Sequence, residues 1–374
     1  MPIACDPRGA QYHSALDGFR LLPTAKATRM STILNWGILG AGTIARTFAQ
    51  GVARTTTGRV IAIGSRSQVK ADLFADALNL PHRHGSYEAL LADPRVQAVY
   101  IATPHPEHAE WAIKAARAGK HILCEKPIGL NLAEATSIVE AARAHDVFLM
   151  EAFMYRCHPQ TAKLVELLKD GAIGEVKLIE ASFGFRAPFD ATQRLWANEL
   201  GGGGILDVGC YPVSMARLIA GAATGKDFAE PIAVSGAAHF NAVTRVDEYA
   251  VANLTFPGGI IASLATGIAV EMENVVRIFG TEGHLVVPNP WMPSNHGGTE
   301  TILLHRTAKK ETREVKIETP NWLYALEADT VAANIGRRQA SSPAMSWQDT
   351  LGNMKTLDQW RRAVGLVYDA EKSS

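Results

Sequence analysis

The stretch ILNWGILGAGTIARTFAQGVAR, residues 33–54, decides the fold of this 374-residue chain. An apolar strand runs directly into GAGTIA, residues 40–45, and a helical pattern follows. In such a strand-to-helix turn, Gly40 makes the tight turn and Gly42 lets a pyrophosphate approach the backbone. The helix N-terminus then presents free N–H groups to the phosphates. The predicted dinucleotide contacts at this turn are Gly40, Gly42, Thr43 and Ile44.

Outward from this turn, short apolar strands alternate with helical segments as far as residue 152. The strands read RVIAIGSR, AVYIAT, HILCEK and VFLMEA, and each is followed or preceded by a helix of about ten residues or more. Continuous apolar strands separated by helices are typical of a parallel sheet that is covered on both faces. Residues 31–152 are therefore predicted to form an α/β domain with a doubly wound parallel sheet.

After residue 152 the pattern changes. An amphipathic helix is followed by several β-rich segments with short turns, among them EVKLIEASFGFRA, EYAVANLTF and GIIASLATGIAV. Consecutive strands of this kind indicate a large, open and mostly antiparallel sheet, so residues 153–374 are predicted to form an α+β domain. A C-terminal helix at about residues 346–368 is the segment that could pack back on the first domain. Residues 1–30 read as a loosely ordered extension.

The composition narrows the classes of function. Lys and Arg together number 37, as do Asp and Glu, so there is no basic excess for a nucleic acid or an anionic membrane. The four cysteines lie far apart and form no CxxC pair, so their spacing fits neither a zinc site nor a dense disulfide framework. No apolar run approaches the roughly 18 residues of a membrane span. We expect a cytoplasmic protein with a small-molecule substrate.

The end of the second strand predicts which dinucleotide binds. An NAD site usually has Asp or Glu there, but this chain has Ser65 and Arg66, with Lys70 one turn further. Hydroxyl and cationic groups suit a 2′-phosphate, and no carboxylate at this position repels it. NADP is therefore the predicted cofactor. NAD stays open if Arg66 only stacks on adenine or faces solvent.

The stretch HILCEKPIGLN, residues 121–131, places two charges at the end of a buried strand. Ligands bind at the carboxyl ends of parallel strands, so Lys126 can reach both the nicotinamide ribose and a substrate oxygen. Pro127 fixes the turn that directs this lysine. Position in the fold thus favours a functional Glu125-Lys126 pair over a surface salt bridge.

Taken together, GAGTIA, Ser65-Arg66, Cys124-Glu125-Lys126-Pro127 and Asp207-Val208-Gly209-Cys210-Tyr211 resemble the Gfo/Idh/MocA oxidoreductase family, whose first domain is a Rossmann fold. Within it, the chain is similar to the branch of dimeric trans-dihydrodiol dehydrogenases and NADP-dependent D-xylose dehydrogenases. The resemblance implies that Lys126 and Tyr211 form the catalytic pair. It further implies cofactor contacts from Thr103, Pro104, His105, His108, Glu125 and Lys126.

The chemistry of alcohol oxidation supports this pair independently. A base must remove the hydroxyl proton as the hydride leaves the carbon. Because a free phenol with a pKa of about 10 is almost fully protonated at neutral pH, an adjacent ammonium is expected to lower the pKa of Tyr211. Lys126 would then tune Tyr211 and polarise the substrate oxygen.

The predicted substrate-binding residues lie near the start of the second domain. Arg156, Phe185 and Trp196 are an arginine-and-aromatic set that could hold a sugar or diol, or could pack the domain junction. Asp207, four residues before Tyr211, is either a structural cap or a residue that binds a sugar hydroxyl. Tyr211 itself is expected to contact the substrate.

These features predict an NADP-dependent dehydrogenase that acts on an aldose sugar or a vicinal diol. Two other functions remain open from the resemblance. One is an NAD-dependent glycoside hydrolase, and the other is a non-catalytic regulator that senses the dinucleotide. The resemblance also implies a homodimer or homotetramer that assembles through the C-terminal sheet.

Overall fold

The structure, a computed structural model, describes residues 33–373, so the extension predicted for residues 1–30 lies outside the described residues. Six short strands in the first part of the chain lie parallel to one another. They are β1 (Leu34–Leu39), β2 (Gly58–Gly64), β3 (His82–His84), β4 (Ala98–Ile101), β5 (His121–Glu125) and β6 (Leu149–Ala152). The helices of this part are α1 (Thr43–Val52), α2 (Gln68–Leu78), α3 (Tyr87–Leu91), α4 (His108–Arg117) and α5 (Leu132–Ala144).

The strand order in this sheet is β3-β2-β1-β4-β5-β6. Every residue of β4 and β6 is buried, as the continuous apolar sequences require. The order reverses between β1 and β4, so the carboxyl ends of these strands border a crevice in which ligands of such sheets bind. The predicted doubly wound parallel sheet is confirmed.

The second part of the chain forms an eight-stranded sheet with the order β14-β13-β12-β11-β7-β10-β9-β8. Its strands are β7 (Val176–Gly184), β8 (Ala233–Phe240), β9 (Asp247–Thr255), β10 (Ile261–Gly267), β11 (Val276–Gly280), β12 (Gly283–Val287), β13 (Gly298–Arg306) and β14 (Glu311–Thr319). Among the described strands of this sheet, β7 and β10 pair in parallel and the other neighbours pair antiparallel. The predicted open and mostly antiparallel sheet is also confirmed.

Strand β14 was not predicted because its sequence, ETREVKIET, is dominated by charge. In the structure it is an edge strand in which Val315, Ile317 and Thr319 are buried and the intervening residues are exposed. A charged edge strand of this kind protects a sheet from pairing with another chain.

Among the described residues, four helices follow β6 in the chain: α6 (Pro159–Lys169), α7 (Cys210–Ala223), α8 (Leu323–Asn334) and α9 (Trp347–Val364). The C-terminal helix α9 also contacts the first domain, where the Trp347 indole donates to the Leu149 carbonyl at 3.1 Å. On its other side, Asp349 of α9 pairs with Arg156 and Arg217, whose side chains are fully buried. These buried ion pairs connect α9 to α7 and to the turn Met154–Cys157.

Within the described part of the chain, the stretch Asn198–Ala223 is long and apolar enough for a membrane span, but its most apolar 18-residue window is entirely buried in the protein, as in a core helix. By contrast, Tyr249, Val251 and Ile261 of β9 and β10 are exposed on the outer face of the second sheet. Assembly through this sheet stays a prediction.

Helix α1 packs closely on α8 at Gly51. A Cβ at this position would lie 2.5 Å from the Tyr324 Cβ. Replacing a glycine inside a helix with alanine ordinarily gains about 0.5–1 kcal/mol of stability. At Gly51 the clash with Tyr324 outweighs that gain. We expect Gly51→Ala to lower the free energy of unfolding by about 1–3 kcal/mol, as measured by denaturant titration. Gly336→Ala, which meets no atom within 4 Å, is the matched control. Equal stability of both variants would contradict the tight packing.

Candidate active site

A cleft of about 810 Å³ opens at the carboxyl edge of the parallel sheet. Loops after β1, β2, β4 and β5 form one side of it. The other side comes from the second domain and from the turn that leads into it, through Met154, Arg194, Tyr211, Met292 and Tyr324. The cleft therefore combines the predicted cofactor loops with side chains from loops and helices later in the chain.

The turn between β1 and α1 fits a pyrophosphate. Gly40 has a φ of +101°, and a Cβ there would lie 2.7 Å from the Ala102 carbonyl oxygen. At Gly42 a Cβ would meet nothing within 4 Å, so the backbone faces the open cleft. Helix α1 begins at Thr43 with no acidic residue in its first turn and no side-chain cap. Its N–H groups and positive dipole end are thus free for an anion. Thr43 and Ile44 both line the cleft.

The end of β2 presents the predicted hydroxyl and cationic groups to the same cleft. Ser65, Arg66 and Lys70 all line it, and Ser67 caps α2 by accepting from the Lys70 N–H. The Arg66 guanidinium is largely exposed but contacts Glu107, with 2.8 Å between Nη1 and Oε1. No carboxylate stands at the end of β2 itself, as predicted, but Glu107 reaches it from another loop. Glu107 belongs to the turn after β4, and sequence distance concealed it.

Two buried histidines hold the loops of the cofactor side. His108 Nδ1 lies 2.9 Å from the Pro127 carbonyl oxygen, and its Nε2 lies 2.9 Å from that of Thr103. Burial lowers the pKa of His108 to about 4, so the ring is neutral and only one nitrogen donates at a time. Burial also lowers the pKa of His105, whose Nδ1 contacts the Gly201 carbonyl oxygen at 3.3 Å. Thr103, Pro104, His105 and His108 all line the cleft.

Glu125 and the loop after β5 are fixed from the interior. Tyr100 donates its hydroxyl to the Glu125 carboxylate, and burial raises the pKa of Glu125. Two residues beyond Lys126, the Ile128 N–H donates to the Glu151 Oε1 at 3.0 Å. The loop that carries Lys126 is therefore held at both ends by buried groups.

The structure brings Lys126 and Tyr211 into this one cleft. Lys126 Nζ lies 5.1 Å from the centre of the Tyr211 ring and donates to the Asp207 main-chain carbonyl at 2.8 Å. Asp207 belongs to a π-helical turn, Ile205–Gly209, that leads into α7. A π-type hydrogen bond to its carbonyl would need the N–H of residue 212, and Pro212 has none. Proline thus withholds one donor from this carbonyl, which accepts from Lys126 and also contacts Cys210 Sγ at 3.7 Å.

The predicted effect of Lys126 on the pKa of Tyr211 is not what the structure shows. Burial raises the pKa of Tyr211 well above its ordinary value. The Lys126 ammonium lies against the ring face, while the Tyr211 hydroxyl contacts the Met154 sulfur at 3.5 Å. The phenol therefore keeps its proton at neutral pH and is prepared to act as an acid. Phe153, Phe183 and Trp291 surround the ring and fix its position.

Three predicted substrate contacts need correction. Arg156 is buried, its guanidinium pairs with Asp349 at 2.6 Å, and it does not line the cleft. Phe185 and Trp196 belong to a separate small apolar cluster with Val246 and Ile268. The alternative for the set was packing at the domain junction: Arg156 packs there against α9, while Phe185 and Trp196 pack within the second part of the chain. Proximity in sequence to the domain junction did not reveal which way the side chains point.

Asp207 is a positioning residue rather than a lining residue. Its carboxylate is buried and accepts from Arg194 Nη1 at 2.8 Å. Burial opposes ionisation, but Lys126 and Arg194 outweigh it and lower the pKa of Asp207. The ionised carboxylate thereby fixes Arg194, whose side chain is about half exposed in the cleft.

Sequence reasoning missed several lining residues. Arg194 lies in an irregular loop between β7 and α7, and Met292 follows the buried Trp291 in the loop after β12. Tyr324 is the second residue of α8, whose sequence LYALEADTVAAN signals a helix but not its contact with the cleft. No local pattern identifies these residues, because they reach the cleft through the tertiary fold.

Known proteins with similar sequences share both parts of the chain. Residues 34–153 match a model described as an oxidoreductase family with an NAD-binding Rossmann fold, and residues 161–286 match the GFO/IDH/MocA C-terminal domain. The trans-1,2-dihydrobenzene-1,2-diol dehydrogenase of Danio rerio is 34% identical over 344 residues, which cover 90% of this chain and 99% of that protein.

Solved structures agree in fold over nearly the whole chain. A 3-ketoreductase from Actinomadura kijaniata, in complex with NADP and TDP-benzene, has a TM-score of 0.79 at 26% identity, covering 89% of this chain and 98% of that one. An aldose-aldose oxidoreductase from Caulobacter crescentus, complexed with glycerol, has a TM-score of 0.78 at 25% identity, covering 92% and 99% of the two chains.

The open space at Gly42 gives a test of the pyrophosphate cradle. Because φ is −85° and no atom lies within 4 Å of the added Cβ, Gly42→Ala should keep the stability of the wild type. A methyl group that faces the phosphates should weaken dinucleotide binding about tenfold or more, as measured by fluorescence titration. Gly40→Ala, with its positive φ and its clash on Ala102, should instead lose stability. Unchanged affinity of Gly42→Ala would exclude this turn as the phosphate site.

Proposed function

The chain belongs to the Gfo/Idh/MocA oxidoreductase family and carries its NAD-binding Rossmann domain, and from that membership we propose that it transfers a hydride between NADP and a sugar or vicinal diol. The observation that carries the proposal is the single cleft in which a dinucleotide cradle meets Lys126 and Tyr211. The relatives include a dihydrodiol dehydrogenase, a ketoreductase and an aldose oxidoreductase. Their names cover diol, ketone and aldose chemistry.

NADP is the proposed cofactor because of the groups at the end of β2. Arg66 and Lys70 are cationic, Ser65 adds a hydroxyl, and all three line the cleft. The N-terminus of α1 would hold the pyrophosphate through Gly42 and Thr43. When bound, the nicotinamide supplies or accepts the hydride.

Tyr211 is the proposed proton donor. In carbonyl reduction the carbon receives the hydride and the carbonyl oxygen takes the Tyr211 hydroxyl proton, after which the phenolate is reprotonated from solvent. In alcohol oxidation Tyr211 first loses its proton to solvent, and the phenolate then takes the substrate hydroxyl proton as the hydride leaves the carbon. Lys126, fixed by the Asp207 carbonyl, polarises the substrate oxygen and stabilises the phenolate while it exists. Arg194 is the cleft donor available for a further substrate hydroxyl.

The presence of both Lys126 and Tyr211 in the cleft argues against a regulator that only senses the dinucleotide. Such a protein has no need for an ammonium and a buried phenol in the same cleft as the cradle. No feature of the described cleft favours glycoside hydrolysis over direct hydride transfer. Dehydrogenase activity is therefore the function that the geometry supports best.

A panel of aldoses, ketones and vicinal diols tests this function. Wild-type protein is incubated with each substrate and with NADP or NADPH, and the absorbance of the reduced nicotinamide is followed. We expect turnover with at least one sugar or diol. Dinucleotide binding without turnover on any member of the panel would favour the sensing function instead.

Removal of the phenol hydroxyl tests the mechanism. We expect Tyr211→Phe to lower kcat by about a hundredfold or more, as for loss of a general acid, with cofactor affinity within about twofold of the wild type. The hydroxyl makes only a weak contact with Met154, so stability should not fall. Tyr155→Phe is the matched control, because Tyr155 is a buried neighbour that donates to Ser214 and does not line the cleft. Equal activity of the two variants would remove Tyr211 from the chemistry.

A further inference from the structure

The contact between Arg66 and Glu107 lies where the 2′-substituent of the adenosine ribose is expected. Arg66 follows β2, the strand whose end selects between NAD and NADP. Glu107 comes from the turn after β4 and is 2.8 Å from the guanidinium. The cationic side chain that suits a 2′-phosphate is thus already paired with a carboxylate of this chain.

Glu107 is fixed more firmly than Arg66. It ends the short turn His105–Glu107, its N–H donates to the Pro104 carbonyl, and the next residue is the buried His108. The Arg66 side chain is 69% exposed, whereas that of Glu107 is 23% exposed. An incoming phosphate would therefore meet a largely exposed cation and a largely buried anion.

Apart from Arg66, the described surroundings of Glu107 give its carboxylate few polar partners. Its second oxygen, Oε2, is buried and has no hydrogen-bond partner among the described residues. The Tyr87 phenol also lines this part of the cleft, and burial raises its pKa although the nearby Arg66 acts in the opposite direction. If Arg66 turned to a phosphate, the carboxylate would lose its cation while partly buried, which is unfavourable.

We propose that Glu107 is a specificity-determining residue that competes with the 2′-phosphate of NADP for Arg66 and so narrows the preference of the site for NADP over NAD. The inference rests on the proposed dinucleotide function. Arg66 and Lys70 bring two positive charges to this end of the cleft, and Glu107 cancels one of them. The 2′-phosphate carries close to two negative charges, whereas the 2′-hydroxyl of NAD is neutral and leaves the ion pair intact.

The test is Glu107→Gln, which keeps the shape of the side chain and removes its charge. We expect the Kd for NADP to fall by about three- to tenfold, the effect of freeing one charged hydrogen bond. The Kd for NAD should stay within about twofold of the wild type. Both are measured by titration of tryptophan or nicotinamide fluorescence, without any substrate.

Two controls separate competition from other effects. Glu110→Gln removes the same charge from the next turn of the chain, where Glu110 pairs with Lys114 on the surface, and it should leave both affinities unchanged. In an Arg66→Ala background, Glu107→Gln should no longer improve NADP binding, because the residue that is competed for is gone.

The outcomes are distinct. An unchanged or weaker affinity of Glu107→Gln for NADP would overturn the competition, since it would mean that Glu107 is silent or holds Arg66 in place for the phosphate. The same gain in the Arg66→Ala background would also overturn it. Failure of the wild type to bind either dinucleotide would refute the proposed function itself, and with it this inference.

Discussion

The hydrogen bond from Lys126 to the Asp207 carbonyl is the constraint on which the site depends. It joins the end of a strand in the parallel sheet to the turn that begins the helix of Tyr211. The carbonyl is available because Pro212 cannot supply the N–H that a π-type pattern requires. The side-chain carboxylate of the same residue accepts a hydrogen bond from Arg194 and fixes its position. A single residue thus positions a cation from each side of the cleft.

The fold could be predicted because its signals are local. Except for β3, whose sequence HRH carries no apolar signal, the strands of the first sheet are short and mainly apolar runs. Some helices also begin at a recognisable cap, such as Ser67 before α2 and Asn131 before α5. The glycine turn was readable for the same reason, since Gly40 and Gly42 are adjacent to the strand that they end. Strand β14 is not recognisable from the sequence, because most of its residues are charged or polar and exposed at the edge of the sheet.

The cleft could be predicted only where its residues follow a strand end or a motif. Arg194 and Tyr324 are brought into the cleft, and Glu107 to Arg66, by tertiary packing, and nothing in the sequence nearby distinguishes them from surface or core residues. The reverse error occurred at Arg156, where a cation near the domain junction proved to be a buried partner of Asp349. The protonation of Tyr211 depends on how deeply the whole fold buries it, which no spacing of residues encodes.

The two walls of the cleft have separate origins along the chain. Gly42, Arg66 and Thr103 belong to loops of the first sheet, while Arg194 and Met292 belong to loops of the second. Effects of substitutions at distant sites without shared partners usually add. Evolution could therefore change the substrate preference through one wall while the dinucleotide preference of the other wall is inherited unchanged, or the reverse. Lys126 is the exception, because it lies where the two walls meet and contacts both.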